Sequence, residues 1–320
     1  MMKARMFPLA PLALALLAGG TADAAEALEV VPIWPDEVRD EIADPGSLIV
    51  TERGDVNGIR DRAATGISDP DLTIFRAAEA NGYALLILPG GGYTRVVMDK
   101  EGYEAGRWFA ERGVSSFVLR YRLPGESLPN RPELPLMDAQ RAMRWIRHHA
   151  GDYGIDVGHS GVIGFSAGGH LAAMLATAYD RSVYTPVDDA DALSARPAFA
   201  ILMYPVISMQ ADIAHAGSRD LLIGTSPSGA LIEAWSPQRL VTAAMPPVFL
   251  LHATDDQSVV VENSRVMHEA LEAAGVPADL HLYARGGHGF GLRLADGLPV
   301  ADWPSVAYRW MLTGPHARTD

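Results

Sequence analysis

A chain of 320 residues, 48% hydrophobic and 20% charged, has the apolar content to bury a large core and is too apolar for a disordered polymer. Its formal charge of −13 argues against nucleic-acid phosphates and anionic lipid as partners and makes a neutral substrate the simpler expectation. With no cysteine there are no disulfides, no thiolate metal sites and no lipid-modified N-terminal cysteine.

The first 24 residues read as an export signal. Lys3 and Arg5 precede an apolar stretch over 9–18, and Ala22-Asp23-Ala24 has the small-x-small pattern of a cleavage site. That stretch is too short and alanine-rich for a membrane anchor, and no later run approaches membrane-spanning length. Cleavage after Ala24 would place a single domain, residues 25–320, in the periplasm or the medium.

Short apolar runs at 72–75, 83–88, 114–121, 160–165, 199–204, 248–252 and 280–284 predict strands. Helical periodicity fills the gaps at 102–112, 136–150, 169–178, 259–274 and 304–312. In the second of these, Leu136, Met137, Met143, Ile146 and Ala150 recur at helical spacing, and Pro135 suits a helix start. Nearly continuous apolar strands alternating with amphipathic helices imply an α/β class, a mostly parallel central sheet covered on both faces. In such sheets functional groups gather at the C-terminal strand ends. The acidic run PVDDADAL at 186–193 lacks the spacing and glycine of an EF-hand and reads as a solvated loop. The stretch 206–244, rich in Gly, Ser and Pro, reads as a lid-like insertion between two core strands.

The motifs that carry chemistry sit at those strand ends. Pro89-Gly90-Gly91-Gly92-Tyr93 follows the strand YALLIL, and its glycines let backbone amides approach a substrate. It lacks the Gly-Lys-Ser/Thr of a phosphate-binding loop. Gly164-Phe165-Ser166-Ala167-Gly168 matches G-x-S-x-G between a strand and a helix, the setting of a nucleophile elbow. The serine of such a turn has a strained backbone, so side chains two residues before or after it would clash, and glycine at 164 and 168 removes the clash. The hydroxyl then projects near a helix N-terminus, whose amides favour developing negative charge.

A serine hydroxyl needs a base to take its proton, and the base needs an orienting carboxylate. With the chain order Ser, acid, His, the base falls to His288 in ARGGHGFG, after the last strand and before the last helix. His148, His149 and His268 lie in or near helices, His252 reads as structural, and His170 follows the serine too closely. Asp255 and Asp256 both qualify by position as the acid. The pattern His-small-x-x-Asp-x-x-Val over 252–259 picks Asp256 and leaves Asp255 to cap a turn or the next helix. No metal-ligand set stands out, and two-step acyl transfer from such a triad requires no cofactor.

PGGGY, EGYEAGRWFAERGVSSFVLRYRLP, GFSAGGHLAA, PPVFLLHATDDQSVVVENS and GGHGFGL together resemble the α/β-hydrolase esterases related to acetyl xylan esterases and feruloyl-esterase-like proteins, over about residues 70–312. The resemblance implies an α/β-hydrolase fold with Ser166 as nucleophile, Asp256 as acid, His288 as base, and an oxyanion hole from Gly91, Gly92 and Ala167. Pro89 stands where related lipases and esterases carry the histidine of HGGG, a departure that leaves the glycine amides in place. The implied activity is release of small acyl groups, acetate first, from carbohydrate or polysaccharide esters. The expected partner is a small-molecule or oligosaccharide ester, with no nucleic acid and no membrane insertion. Tyr93, His170, Tyr204 and Trp235 are candidates for substrate binding, since an aromatic ring stacks on a sugar face while its polar edge hydrogen-bonds. The alternatives are a peptidase or amidase of the same fold and a noncatalytic carbohydrate-binding protein. Peptidases of this kind usually carry a large additional domain, and a binder has no use for a full set of reacting groups.

Overall fold

A computed structural model describes residues 29–37, 47–54, 59–125 and 132–317; the expected signal peptide, residues 1–24, lies outside them. In chain order the strands are β1 (Glu29–Pro32), β2 (Ile49–Glu52), β3 (Arg62–Thr65), β4 (Asp71–Phe75), β5 (Gly82–Leu88), β6 (Val96–Val97), β7 (Ser115–Arg120), β8 (Ile155–Phe165), β9 (Ala200–Met203), β10 (Val248–Ala253) and β11 (Ala278–Tyr283). The helices are α1 (Glu104–Ala110), α2 (Glu133–His148), α3 (Ala167–Thr177), α4 (Ala216–Ile223), α5 (Gly229–Ala234), α6 (Glu262–Ala273) and α7 (Trp303–Thr313).

The larger sheet runs β1-β4-β7-β5-β8-β9-β10-β11. β1, β4 and β7 pair antiparallel, and from β7 to β11 every pairing is parallel. All seven predicted strands are in it. The central strands feed two cores, as strands covered on both faces must. Leu86 and Val162 pack with Met143 of α2, Leu171 of α3 and Met267 of α6. Leu85, Ile87 and Ile163 pack with Phe109 of α1 and Trp303 of α7. This is the α/β-hydrolase architecture.

Several local readings need correction. α2 begins at Glu133, before Pro135, because a proline in the first turn lacks only an N–H that would have no helical partner. Ala150 falls in a 3-10 turn, Ala150–Tyr153. Asp99–Tyr103 forms a π turn that runs into α1. The acidic run at 186–193 is not simply solvated: Asp188 and Asp191 bind the guanidinium of buried Arg141, at 2.6 and 3.1 Å. A guanidinium out of water needs such partners. A second sheet, β2-β3-β6, has no counterpart among the predicted strands, since β2 is exposed throughout and shows no alternation. It brings Arg53 to the site described next.

Between β9 and β10, the 206–244 segment holds α4 and α5. It is tied to the body by Asn263 of α6, whose Oδ1 accepts the amides of Ile207 and Ser208 and whose Nδ2 donates to the Ile213 carbonyl. Among the described residues no helix is long and apolar enough to cross a membrane.

Candidate active site

β8 ends at Phe165 and α3 begins at Ala167, so the strand-to-helix reversal falls on Ser166 alone. Its backbone, φ 54° and ψ −118°, lies where side chains rarely go and costs about 1–3 kcal/mol. The surroundings enforce it. Ser166 donates its amide to the Met203 carbonyl at 3.0 Å, and its carbonyl accepts from His170 at 3.1 Å and Val206 at 3.0 Å. A Cβ on Gly164 would run into the Gly168 carbonyl, and one on Gly168 into the Leu88 and Pro89 carbonyls. Both glycines are thus required by close backbone approach.

Strand ends β8, β10 and β11 bring three predicted residues together. His288 Nε2 lies 2.8 Å from Ser166 Oγ, and its Nδ1 lies 2.6 Å from Asp256 Oδ2. A carboxylate only accepts, so Nδ1 carries the proton and Nε2 is free to accept from the serine hydroxyl. Asp256 is 3% exposed. Burial alone would push its carboxyl up, but hydrogen bonds from His252 and His288, with the Val259 amide, outweigh it and hold the group well below the usual carboxylate range. His252 Nε2 sits 3.2 Å from Asp256 Oδ2 and 2.9 Å from the Val259 carbonyl, both acceptors, so this nitrogen is protonated. Its Nδ1 meets Ser264 Oγ at 2.8 Å.

Asp255 acts elsewhere than a cap for α6. Its Oδ1 accepts the amides of Gly286 and Gly287, at 3.0 and 2.8 Å, and so ties down the loop that carries His288.

Ala167 N–H, first in α3, has no intrahelical partner. The amides of Gly91 and Gly92 likewise donate to no protein acceptor among the described residues. Both glycines line a cleft of about 290 Å³ together with Ser166, His215 and His288. Gly91 has φ 134° and its Cβ would strike the Arg95 carbonyl, so only glycine makes this turn. Pro89 keeps its carbonyl bound by the Tyr121 hydroxyl at 2.7 Å.

None of the four aromatic candidates lines this cleft. Tyr93, His170, Tyr204 and Trp235 are all buried. Tyr93 Oη donates to His170 Nδ1 at 2.7 Å, and His170 Nε2 donates to the Trp235 carbonyl at 2.8 Å, a chain that links the glycine loop through α3 to the 206–244 segment. Burial pushes His170 down to about 4, against the pull of the Trp235 carbonyl, and keeps it neutral. The polar edges of Tyr93, His170 and Tyr204 are satisfied by protein groups inside the fold instead of meeting a sugar.

Glu101 and His215 are among the cleft residues that the sequence did not single out. Glu101, 3% exposed, accepts the Gly90 amide at 3.1 Å through Oε2 and the Tyr204 hydroxyl at 3.0 Å through Oε1. Tyr204 Oη in turn accepts the Gly291 amide at 3.1 Å, so one carboxylate joins the glycine loop to the histidine loop. A lone glutamate at the head of a glycine- and aromatic-rich run was the only signal. His215 caps α4, accepting from the Ser218 amide at 3.2 Å, and lies beside Gly92. Burial and nearby His288 lower its pKa, with Asp256 pulling the other way.

A family model described as BD-FAE matches residues 71–271. The acetylxylan esterase of Xylanibacter ruminicola is 34% identical over 69% of this chain and 43% of its own length. Endo-1,4-beta-xylanase B of Butyrivibrio fibrisolvens is 35% identical over 70% of this chain and 34% of its own. The chain thus spans less than half the length of either. The crystal structure of an acetyl ester-xyloside bifunctional hydrolase from Caldicellulosiruptor lactoaceticus superposes with a TM-score of 0.74 at 33% identity, covering 91% of this chain and 97% of that one. With a matching family model over most of the chain and a fold in which three strand ends converge on Ser166, this chain belongs to the BD-FAE family of α/β-hydrolase esterases.

Proposed function

We propose that the protein is an exported serine esterase that releases small acyl groups, acetate first, from sugar esters by way of an acyl-enzyme. The observation that carries this reading is the pair of hydrogen bonds at His288, 2.8 Å to Ser166 Oγ and 2.6 Å to Asp256. In the first step His288 Nε2 takes the hydroxyl proton as Ser166 Oγ attacks the ester carbonyl. The oxyanion that forms accepts from the amides of Ala167 and of Gly91 or Gly92; each such donor contributes about 3–4 kcal/mol. His288 returns the proton to the departing alcohol, and water repeats the sequence on the acyl-enzyme. Asp256 holds the productive tautomer throughout and favours the imidazolium.

A cleft of about 290 Å³ is at the small end for ligand pockets and favours a short acyl group. The names of the relatives, acetylxylan esterase and acetyl ester-xyloside hydrolase, support acetate and a sugar alcohol. Lys3, Arg5, the apolar stretch after them and Ala22-Asp23-Ala24 support export.

Turnover of p-nitrophenyl acetate, butyrate and octanoate, followed by acetate release from acetylated xylo-oligosaccharides, tests the activity. Rates should fall steeply with acyl length, and octanoate preference or no hydrolysis at all defeats the reading. Edman sequencing of the exported chain should begin at Ala25; a chain still starting at Met1 argues against export.

A further inference from the structure

The cleft has a charge opposite to that of the chain. Against a formal charge of −13, its wall carries Arg53, Arg95 and Lys100. They arrive from different segments: Arg53 follows β2, Arg95 directly precedes β6, and Lys100 lies in the π turn before α1. Arg53 is already paired, its Nη2 3.4 Å from Asp61. Arg95 and Lys100 have no acidic partner among the described residues. Lys100 Nζ reaches within 3.5 Å of where a side chain on Gly289, next to His288, would begin.

The groups facing these cations do not cancel them. Among the described residues Glu101 is the one carboxylate on the cleft wall, and its oxygens accept from the Gly90 amide and the Tyr204 hydroxyl. Asp256, behind His288, is held by two histidines and the Ser258 and Val259 amides. Burial lowers the pKa of His215, so it holds a proton less readily than an ordinary histidine. Two cations on one cleft wall, without an acidic partner among the described residues, leave a positive field there that favours an anionic ligand.

We propose that the sugar whose ester is cleaved carries an oxyanion of its own, a carboxylate or a sulfate, and that Arg95 and Lys100 read it at the cleft mouth. This rests on the esterase reading above and replaces the neutral substrate suggested by net charge. A guanidinium grips such a group through two parallel N–H bonds and an ammonium as a point charge, so the pair selects for charge at a set distance from the ester.

Three mono-O-acetyl methyl glycosides that differ only at C6 provide the test: the glucoside, the glucuronoside and the glucoside 6-sulfate. Acetate release should give kcat/KM about tenfold higher for a charged sugar than for the neutral one at low salt, equivalent to ~1.4 kcal/mol. The carboxylate and sulfate arms show which oxyanion is read. The charged-to-neutral ratio should fall toward one in about 0.5 M NaCl, where screening is strong, and in the double variant Arg95→Gln/Lys100→Gln. Because both sugars are measured on one preparation, partial loss of fold cancels in the ratio. A ratio near one in the wild-type protein, or a ratio that the double variant leaves unchanged, overturns the proposal. If p-nitrophenyl acetate is still hydrolysed in that case, the esterase reading stands; if no ester is hydrolysed, the esterase reading falls and takes this one with it.

Discussion

The turn that carries Ser166 and the loop that carries His288 meet at one 2.8 Å hydrogen bond, yet different kinds of contact hold them. The turn is fixed by backbone packed on backbone: Gly164 against the Gly168 carbonyl, Gly168 against the Leu88 and Pro89 carbonyls, and the Ser166 amide and carbonyl bound by the backbones of Met203, His170 and Val206. The histidine loop is held instead by polar side chains from other elements. Asp255 holds Gly286 and Gly287, Tyr204 holds Gly291, and Trp303 Nε1 donates to the Gly291 carbonyl at 2.7 Å. Close backbone packing admits almost no substitution, whereas a hydrogen-bonded loop tolerates loss of one anchor when others remain.

The largest effect should come from Asp256→Asn, at the point where both regions depend on His288. Asn keeps an oxygen for the Ser258 and Val259 amides and presents an NH₂ group to His288 Nδ1, which forces the wrong tautomer. Turnover should fall about 10⁴-fold with circular dichroism unchanged; a loss under tenfold would remove Asp256 from the assigned role.

Breaking the turn calls for Gly168→Ala. One methyl against the Leu88 and Pro89 carbonyls should lower unfolding free energy by about 3 kcal/mol, read from urea midpoints. A variant as stable as wild type would mean the backbone at this site yields more easily than close packing allows.

Acid should loosen the neighbourhood of the turn. His170 has an ordinary value of 6.5 and is pushed to about 4 by burial, so the unfolded chain binds the extra proton between those values. Its contribution is intact above pH 6.5 and is lost as pH falls toward 4, up to roughly 3 kcal/mol. His316, also lowered to about 4, acts in the same direction. Asp71, raised to about 6 by burial despite Arg120, opposes it, since its protonation favours the fold as pH drops. Urea titrations at pH 7 and 4.5 should show a net loss, smaller in His170→Gln; equal pH dependence in the two proteins would contradict the burial of an uncharged imidazole.

The smallest effect distinguishes the loop's own anchor. Asp255→Asn retains an acceptor for the Gly286 and Gly287 amides and should keep turnover within a few-fold, while Asp255→Ala frees both amides and should cost about tenfold in kcat. Equal activity in both variants would show that Tyr204 and Trp303 suffice to place His288.

Seven strands and the serine turn were legible in the sequence because apolar periodicity is local and because the G-x-S-x-G spacing marks the turn whatever backbone packs against it. Ser166, His288 and the aspartate pair could be expected to meet because the parallel sheet brings the C-terminal ends of its strands to one edge. The four aromatic candidates lie away from the cleft wall: the sequence puts Tyr204 at the end of a predicted strand, but does not tell that its hydroxyl turns inward to Glu101 and Gly291. Glu101, Asp255, Arg95 and Lys100 look like ordinary polar residues until the chain is folded. The polar neighbours of Glu101 lie 11 and 103 residues away, and those of Asp255 lie 31 and 32. Sequence alone determined seven core strands and the serine turn, since apolar period and the G-x-S-x-G spacing are carried by consecutive residues, whereas β1 and the small sheet β2-β3-β6 left no such pattern. The orientation of each buried polar group and the sign of the charge around the cleft were decided by tertiary structure, because both depend on through-space partners that chain order does not bring together.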